Sequence, residues 1–175
     1  IDLEALKGQK CWLGLDLSKR YDITAKVKVF RVDQKLVVVP TFFIPEEGLA
    51  DRAKRDKVPF ELWVKQGLIV ATPGDVVDFE FIEASVLEDA RDFEVVDVAY
   101  DPYSATQLAI QLNDHGVNAI EFPQNIGHMS EPTKALLIAV LQRRLVHGGN
   151  PVLRWMASNA KAITDANDNV KLVKN

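Results

Sequence analysis

The chain has 175 residues, of which 47% are hydrophobic and 26% are charged, and its formal net charge is −4. This length suits one domain with a sizeable buried core, and the composition is typical of globular proteins. No apolar run approaches the roughly 20 residues that a membrane-spanning helix needs, which argues against a membrane protein. The negative net charge gives no global signature of nucleic-acid binding.

The cysteine content and the first residue bear on the setting of the protein. Cys11 is the single cysteine, so no internal disulfide can form, and no signal-peptide pattern opens the chain. A reducing, cytoplasmic setting therefore fits best, with Cys11 as a small buried thiol. The chain starts at Ile1 without a methionine, which indicates a fragment or processed piece of something longer.

The first part of the chain predicts an antiparallel meander of three strands. The strands lie at residues 11–17, 24–32 and 36–44, joined by a polar loop at 18–22 and a tight turn at 33–34. In the second strand, Ala25, Val27 and Val29 alternate with Lys26 and Lys28. This alternation is typical of a half-exposed strand with its lysines on the solvent face.

Residues 45–76 look like an insertion after the meander. They predict two short helices at 46–55 and 59–65, a brief strand at 68–71 and a Pro-Gly turn. A basic cluster at residues 52–57 falls within the insertion, and such a charge run is most often a solvated face.

The second half of the chain alternates between helices and strands. An amphipathic helix at 77–93 precedes a strand at 95–100, a helix at 102–115, a strand at 118–122 and a helix at 131–144. A short helix at 152–158 and a hairpin with strands at 160–164 and 170–173 follow. Pro102 and Gly116 suit the first turn and the C-terminus of the helix between them.

This order of elements predicts an α/β, ribonuclease H-like fold. Its centre is a mixed five-stranded sheet of the three-strand antiparallel meander plus two parallel strands, with flanking helices and an extra C-terminal β-hairpin. The first and fourth strands lie side by side in that fold, and open sheets bind ligands at the carboxyl ends of such strands. Asp16, near the end of the first strand, and Asp101, directly after the fourth, are therefore predicted to meet.

The predicted pair of carboxylates points to a metal site. Two carboxylates at adjacent strand ends repel each other unless a cation lies between them. Mg²⁺ and Mn²⁺ prefer oxygen ligands, and two ions about 4 Å apart can clamp the attacking and leaving oxygens of a phosphodiester. Asp16 and Asp101 are thus candidate catalytic metal ligands. Each also has a simpler explanation, because Asp16 can cap the following loop and Asp101 can cap the helix that begins at Pro102.

Other polar residues are candidates for supporting roles. Asp22 and His147 are possible outer-shell contacts of the metal site, although a solvent-facing carboxylate and a structural loop histidine are the simpler interpretations. Asp165 and Asp168 lie in a turn, where aspartate is common for local hydrogen bonding, rather than in the place of a third metal ligand. Candidate contacts with a DNA backbone are the cations Arg143, Arg144, Lys161 and Lys171.

Five segments, taken in order, resemble the C-terminal nuclease domain of the large terminase subunit of tailed bacteriophages and prophages. They read GLDLSKRYDITA, VPFELWVKQGLIVATPGDVVDF, VAYDPYSATQLAIQL, MSEPTKAL and LVHGGNPVLRWMASN. The resemblance begins near Leu13 and reaches the end of the chain. It places Asp16 in GLDLS at the family's first metal-binding aspartate and Asp101 in YDP at its second acidic ligand.

The resemblance implies an endodeoxyribonuclease that hydrolyses phosphodiester bonds of concatemeric viral DNA during genome packaging, using two Mg²⁺ or Mn²⁺ ions. Its partners would be double-stranded DNA, the small terminase subunit and the portal protein, in the cytoplasm of an infected or lysogenic bacterium. Residues 1–175 would form a single nuclease domain, with 1–10 as a linker remnant from an absent ATPase domain. No G-x-x-x-x-G-K-[ST] phosphate loop occurs in the chain. The family's third carboxylate belongs to a final helix that is missing here, which predicts weak activity.

Two other interpretations stay open. The first is a catalytically incomplete DNA-docking or motor-interface module of the packaging machine. The second is an actin-like or sugar-kinase-like phosphate-binding domain, because a glycine-preceded aspartate followed by Ser-Lys resembles the first phosphate loop of those ATPases. No second phosphate loop follows in the sequence.

Overall fold

A computed structural model describes residues 1–18 and 22–175 of the chain. The strands are β1 Lys10–Asp16, β2 Thr24–Val32, β3 Lys35–Pro45, β4 Val70–Thr72, β5 Glu94–Tyr100, β6 Ala119–Glu121, β7 Leu145–Val146, β8 Ala160–Thr164 and β9 Val170–Lys174. The helices are α1 Leu49–Asp56, α2 Phe60–Lys65, α3 Phe79–Asp92, α4 Pro102–Asp114, α5 Ile126–Leu141 and α6 Pro151–Ser158. None of the helices in these ranges is long and apolar enough to cross a bilayer.

The main sheet has the strand order β4-β3-β2-β1-β5-β6, and β7 pairs with the start of β3. Strands β1, β2 and β3 form the predicted antiparallel meander. Strand β5 runs parallel to both β1 and β6, so the first and fourth predicted strands are neighbours as expected. Two short strands, β4 and β7, extend the predicted five-stranded sheet to seven within the described residues. Strands β8 and β9 form the predicted hairpin as a separate sheet.

Two hydrophobic layers cover the opposite faces of the main sheet. Phe43 of β3 belongs to the layer beneath α3 and α4, whereas its neighbours Phe42 and Ile44 point to the other face, as strand alternation requires. That second face packs against Phe60 and Trp63 of α2 and against the buried residue Val152 of α6. The segment at 45–76 therefore supplies part of the core.

The prediction for the faces of β2 was wrong. Lys26 and Lys28 are buried beneath α3, with 2% and 7% of their surface exposed, while Val27 and Val29 on the opposite face are only half-buried. Both ammonium groups donate to the buried carboxylate of Asp89, on α3. The Nζ atom of Lys26 also donates to the carbonyl oxygen of Ser85 at 2.8 Å. Burial lowers the pKa of Lys26, and Asp89 opposes that shift.

Polar caps define several helix starts. Asp78 accepts the Glu80 N–H at the start of α3, and Asn125 accepts the His128 N–H at the start of α5. Helix α5 begins earlier than the predicted residue 131, with Pro132 inside it. Proline lacks a backbone N–H and is most often found in a first helical turn, whereas Pro132 lies inside α5.

Cys11 should react slowly with alkylating reagents in the folded protein. Its side chain has no exposed surface, and burial, assisted by the charge of Asp89, raises the pKa of the thiol to about 11. The thiolate is the reactive form, so we expect alkylation by iodoacetamide at pH 8 to be at least about 100-fold slower than in denaturant. Mass spectrometry of timed samples measures both rates. Equal rates would show that Cys11 is accessible.

Candidate metal and DNA site

The structure brings Asp16 and Asp101 to the same edge of the sheet. In the parallel pairing of β1 with β5, Leu15 lies opposite Tyr100. Asp16 is the last residue of β1, directly after Leu15, and Asp101 directly follows β5. Both aspartates line one cavity of about 230 Å³. The predicted meeting of these carboxylates at adjacent strand ends is therefore present in the structure, whereas their role as metal ligands remains a prediction.

The local sequence explains how this cavity forms. Alternation along β1 buries Leu13 and Leu15 in the core and turns Gly14 and Asp16 toward the opposite face. The other residues that line the cavity with Gly14 and the two aspartates are mainly small or apolar, namely Leu15, Ala25, Val27, Ala99, Tyr100, Phe122, Gln124 and Met129. Charges beside such surfaces interact more strongly than charges surrounded by water. The arrangement suits two carboxylates that share a cation.

Asp101 has a structural role that the sequence also predicted. Its Oδ1 atom accepts the Tyr103 backbone N–H at 3.1 Å and caps the N-terminus of α4. A carboxylate accepts hydrogen bonds at about four positions, so a cap is compatible with a second function. The cap also fixes the orientation of the carboxylate at the mouth of the cavity.

Asp22 pairs with the C-terminal hairpin. Its carboxylate accepts from the Nζ atom of Lys174, on β9, and its backbone N–H donates to the hydroxyl of Ser18 at 3.0 Å. Asp16, Asp22 and Lys174 line a second, larger cleft of about 740 Å³. The rest of the predicted polar loop, residues 19–21, lies outside the described residues.

The two lysine candidates on the hairpin differ in their surroundings. Lys171 donates to the backbone carbonyl of Gln124, a residue that lines the cavity of Asp16 and Asp101. Lys161 is exposed on β8, opposite Val173 of β9. Lys171 is thus connected to the wall of the candidate site, and Lys161 faces solvent.

Arg143, Arg144 and His147 lie at the other end of the sheet. Strand β7, which lies between Arg144 and His147, pairs with β3 at Leu36. Asp16 of β1 is opposite Ala25 of β2, which in turn is opposite Phe42 of β3. Six residues along a strand correspond to about 20 Å. The structure therefore does not bring His147 into the outer shell of Asp16 and Asp101. Arg143 and Arg144 are equally far from the two aspartates.

The available ligands fit a hard divalent cation but form a small set. Within residues 1–18 and 22–175, no three His, Cys, Asp or Glu side chains converge as in a metal site. Asp165 accepts the backbone N–H groups of Asn167 and Asn169, in agreement with its interpretation as a turn residue. The hydrogen bond from the Asn169 side chain is the main reason why the pKa of Asp165 is lowered. Carboxylate pairs such as Asp16 and Asp101 suit Mg²⁺ or Mn²⁺.

Comparison with known proteins decides the family. Residues 1–175 match the family described as the endonuclease domain of the terminase large subunit. The chain belongs to this terminase endonuclease family. It is 36% identical over 169 residues to the large terminase subunit of Enterobacteria phage HK97, in a match that covers 95% of the chain and 34% of that subunit. The chain thus spans about a third of the length of this relative.

Solved structures of terminases support the same fold. The crystal structure of the HK97 large terminase matches with a TM-score of 0.86 at 34% identity, covering 97% of this chain and 38% of the other. The large terminase nuclease of thermophilic phage G20c, solved with bound magnesium, gives a TM-score of 0.61 at 10% identity, covering 97% and 75%. The latter similarity shows the fold alone. The predicted ribonuclease H-like fold, its extra hairpin and the resemblance to terminases are confirmed.

The interpretation of residues 52–57 as a solvated face missed the position of Arg52. This residue is only 7% exposed, and its guanidinium lies 5.6 Å from the ring centre of Phe60. A signal was present, because Leu49 and Ala53 flank Arg52 on α1 at spacings that place apolar side chains on one helix face. Long charged side chains often bury their stems along such a face.

Proposed function

We propose that this terminase domain is a metal-dependent DNA endonuclease that cuts concatemeric viral DNA during genome packaging. The observation that carries the proposal is the convergence of Asp16 and Asp101 at adjacent strand ends. The family assignment supports an endonuclease, and the magnesium in the G20c nuclease structure supports a divalent cation. Double-stranded DNA, the small subunit and the portal would be its partners, in the cytoplasm of the bacterial host.

Asp16 and Asp101 would hold Mg²⁺ or Mn²⁺, and two ions fit the proposed reaction. The ions would stabilise negative charge on the attacking and leaving oxygens of the phosphodiester. The chain contributes the two carboxylates, the apolar side chains that line the cavity beside them, and the hydrogen bond from the Tyr103 N–H that orients Asp101. Lys171, which is connected to Gln124 in the cavity wall, would contribute positive charge close to the bound phosphate.

The DNA contacts divide into two regions. Lys161 and Lys171 lie on the hairpin near the candidate site, while Arg143 and Arg144 lie at the opposite end of the sheet. Contacts with phosphates are independent of sequence and mainly position the protein on DNA. A domain with these two regions would bind an extended stretch of backbone.

A DNA-docking module without hydrolysis is the second candidate. It is favoured by one observation, namely that no third carboxylate joins Asp16 and Asp101 among the residues the structure describes. The phosphate-binding ATPase interpretation has no such support, since the whole chain matches a terminase endonuclease family.

Cleavage of supercoiled plasmid distinguishes the two candidates. We expect nicked and linear products with Mn²⁺ or Mg²⁺ and intact plasmid with EDTA. A parallel gel-shift measurement with the same plasmid reports DNA binding. Retention of DNA without cleavage in either metal would favour the docking module.

A further inference from the structure

The cleft of about 740 Å³ starts at the candidate metal site. Asp16 lines both this cleft and the smaller cavity that it shares with Asp101, so the two spaces meet at this residue. The walls of the cleft come from α1, from α6 and from strand β9 of the C-terminal hairpin. A DNA strand cut at Asp16 would have this cleft as its immediate continuation.

Two exposed cations lie along the cleft, each held by a carboxylate. Arg55 donates to both oxygens of Asp56, at 2.7 and 3.1 Å, and Lys174 pairs with Asp22. The side chains of Arg55 and Lys174 are 63% and 70% exposed. Ion pairs this exposed contribute little to stability, so a phosphate can replace the carboxylate at low cost.

A third cation stands in the wall of the cleft. Arg52 is buried against the ring of Phe60, and burial lowers the pKa of its guanidinium. Arginine nevertheless remains protonated in proteins. Arg52 therefore supplies a positive charge at a fixed position, whereas a surface lysine can move its charge.

Apolar groups stand beside these cations. Trp155 and Met156 of α6 line the cleft together with Leu172 of β9, which is 41% exposed. Trp155 is held edge-on by Phe60, with ring centres 5.9 Å apart, so its position is well defined. Cations that follow a backbone next to an aromatic surface are typical of sites for unpaired nucleic-acid strands, in which bases stack on the protein. A duplex keeps the faces of its bases hidden.

We propose that this cleft binds a short unpaired stretch of DNA that continues from the phosphate held at Asp16. Arg55 and Lys174 contact its phosphates, and Trp155 and Leu172 contact its bases. Without DNA, Asp56 and Asp22 hold the two cations in place. The inference rests on the proposed endonuclease function, because Asp16 is the point from which the strand enters the cleft.

Fluorescence anisotropy in EDTA tests this inference without cleavage. The probes are a labelled single strand of about 12 nucleotides, within the range that compact single-strand sites cover, and the duplex of the same sequence. We expect the single strand to bind at least about 10-fold more tightly. Arg55→Ala and Lys174→Ala should each weaken its binding about 5-fold and lower the slope of log affinity against log salt by about 0.7.

Lys10→Ala is the matched control, because Lys10 is an exposed cation that pairs with Glu94, lies at the start of β1 about 20 Å from Asp16, and lines neither the cavity nor the cleft. It should leave single-strand binding unchanged. Asp56→Asn removes the carboxylate that competes for Arg55 and should strengthen binding, whereas Glu94→Gln, which removes the partner of Lys10, should not. Melting temperatures confirm that each variant is folded.

The inference is overturned if the duplex binds as tightly as the single strand, or if Arg55→Ala and Lys174→Ala behave like Lys10→Ala. A protein that cuts plasmid but shows no preference for the single strand would refute this inference alone. A protein that prefers the single strand but never cuts plasmid would refute the endonuclease proposal instead.

Discussion

Asp16→Asn and Asp101→Asn should each reduce metal-dependent plasmid cleavage by more than about 100-fold. Loss of a residue that only supports a metal ligand typically costs about 10- to 100-fold, and these two carboxylates are the proposed ligands themselves. Asparagine keeps the size of the side chain but removes the negative charge that a divalent cation requires. Initial rates of nicking in Mn²⁺ and Mg²⁺ measure the effect.

The choice of asparagine separates the two roles of Asp101. Asparagine is an equally good N-cap, so Asp101→Asn should keep the hydrogen bond from the Tyr103 N–H and the stability of α4. Asp101→Ala should lose cleavage and should also lose the cap, which lowers the free energy of unfolding by about 1 kcal/mol. Asp78→Asn is the matched control, because Asp78 caps α3 in the same way but lines neither the cavity nor the cleft. If Asp16→Asn and Asp101→Asn both cleave at the wild-type rate, Asp16 and Asp101 have only local structural roles.

Asp89→Ala should destabilise the fold by about 3–5 kcal/mol. The carboxylate of Asp89 is the shared partner of Lys26 and Lys28, and all three residues are at least nine-tenths buried. Its removal leaves two ammonium groups in the core without their counter-ion, and burial of such charges is costly. Urea denaturation followed by circular dichroism measures the loss in the free energy of unfolding.

Two further variants identify the cause of that loss. Asp92→Ala removes an exposed carboxylate from the same helix and should change stability by less than about 0.5 kcal/mol. The combination of Lys26→Met, Lys28→Met and Asp89→Leu replaces the buried charges by apolar groups and should recover most of the stability. A cost below about 1 kcal/mol for Asp89→Ala would show that water reaches the lysines and replaces the carboxylate.

The sequence alone determined the order of strands and helices and the two positions on which the proposed chemistry depends. Apolar runs and alternation predicted β1, β2 and β3 to within a few residues, because these patterns reflect burial along a single strand. The same patterns place Asp16 at the end of a buried strand and Asp101 directly before a proline that begins a helix. Their proximity followed from the strand order of the fold, which the pairing of β1 with β5 confirms.

Only the tertiary structure decided which faces and which ends of these elements come together. Alternation along β2 defines two faces but not which of them a helix covers, and the partner that allows Lys26 to be buried, Asp89, lies 63 residues away. The burial of Arg52 depends on its contact with Phe60, although the spacing of Leu49 and Ala53 already indicates an apolar face on α1. The separation of His147 from Asp16 depends on where the two-residue strand β7 pairs. The burial of Lys26 and the position of His147 are set by contacts between distant segments, and local sequence patterns carry little information about such contacts.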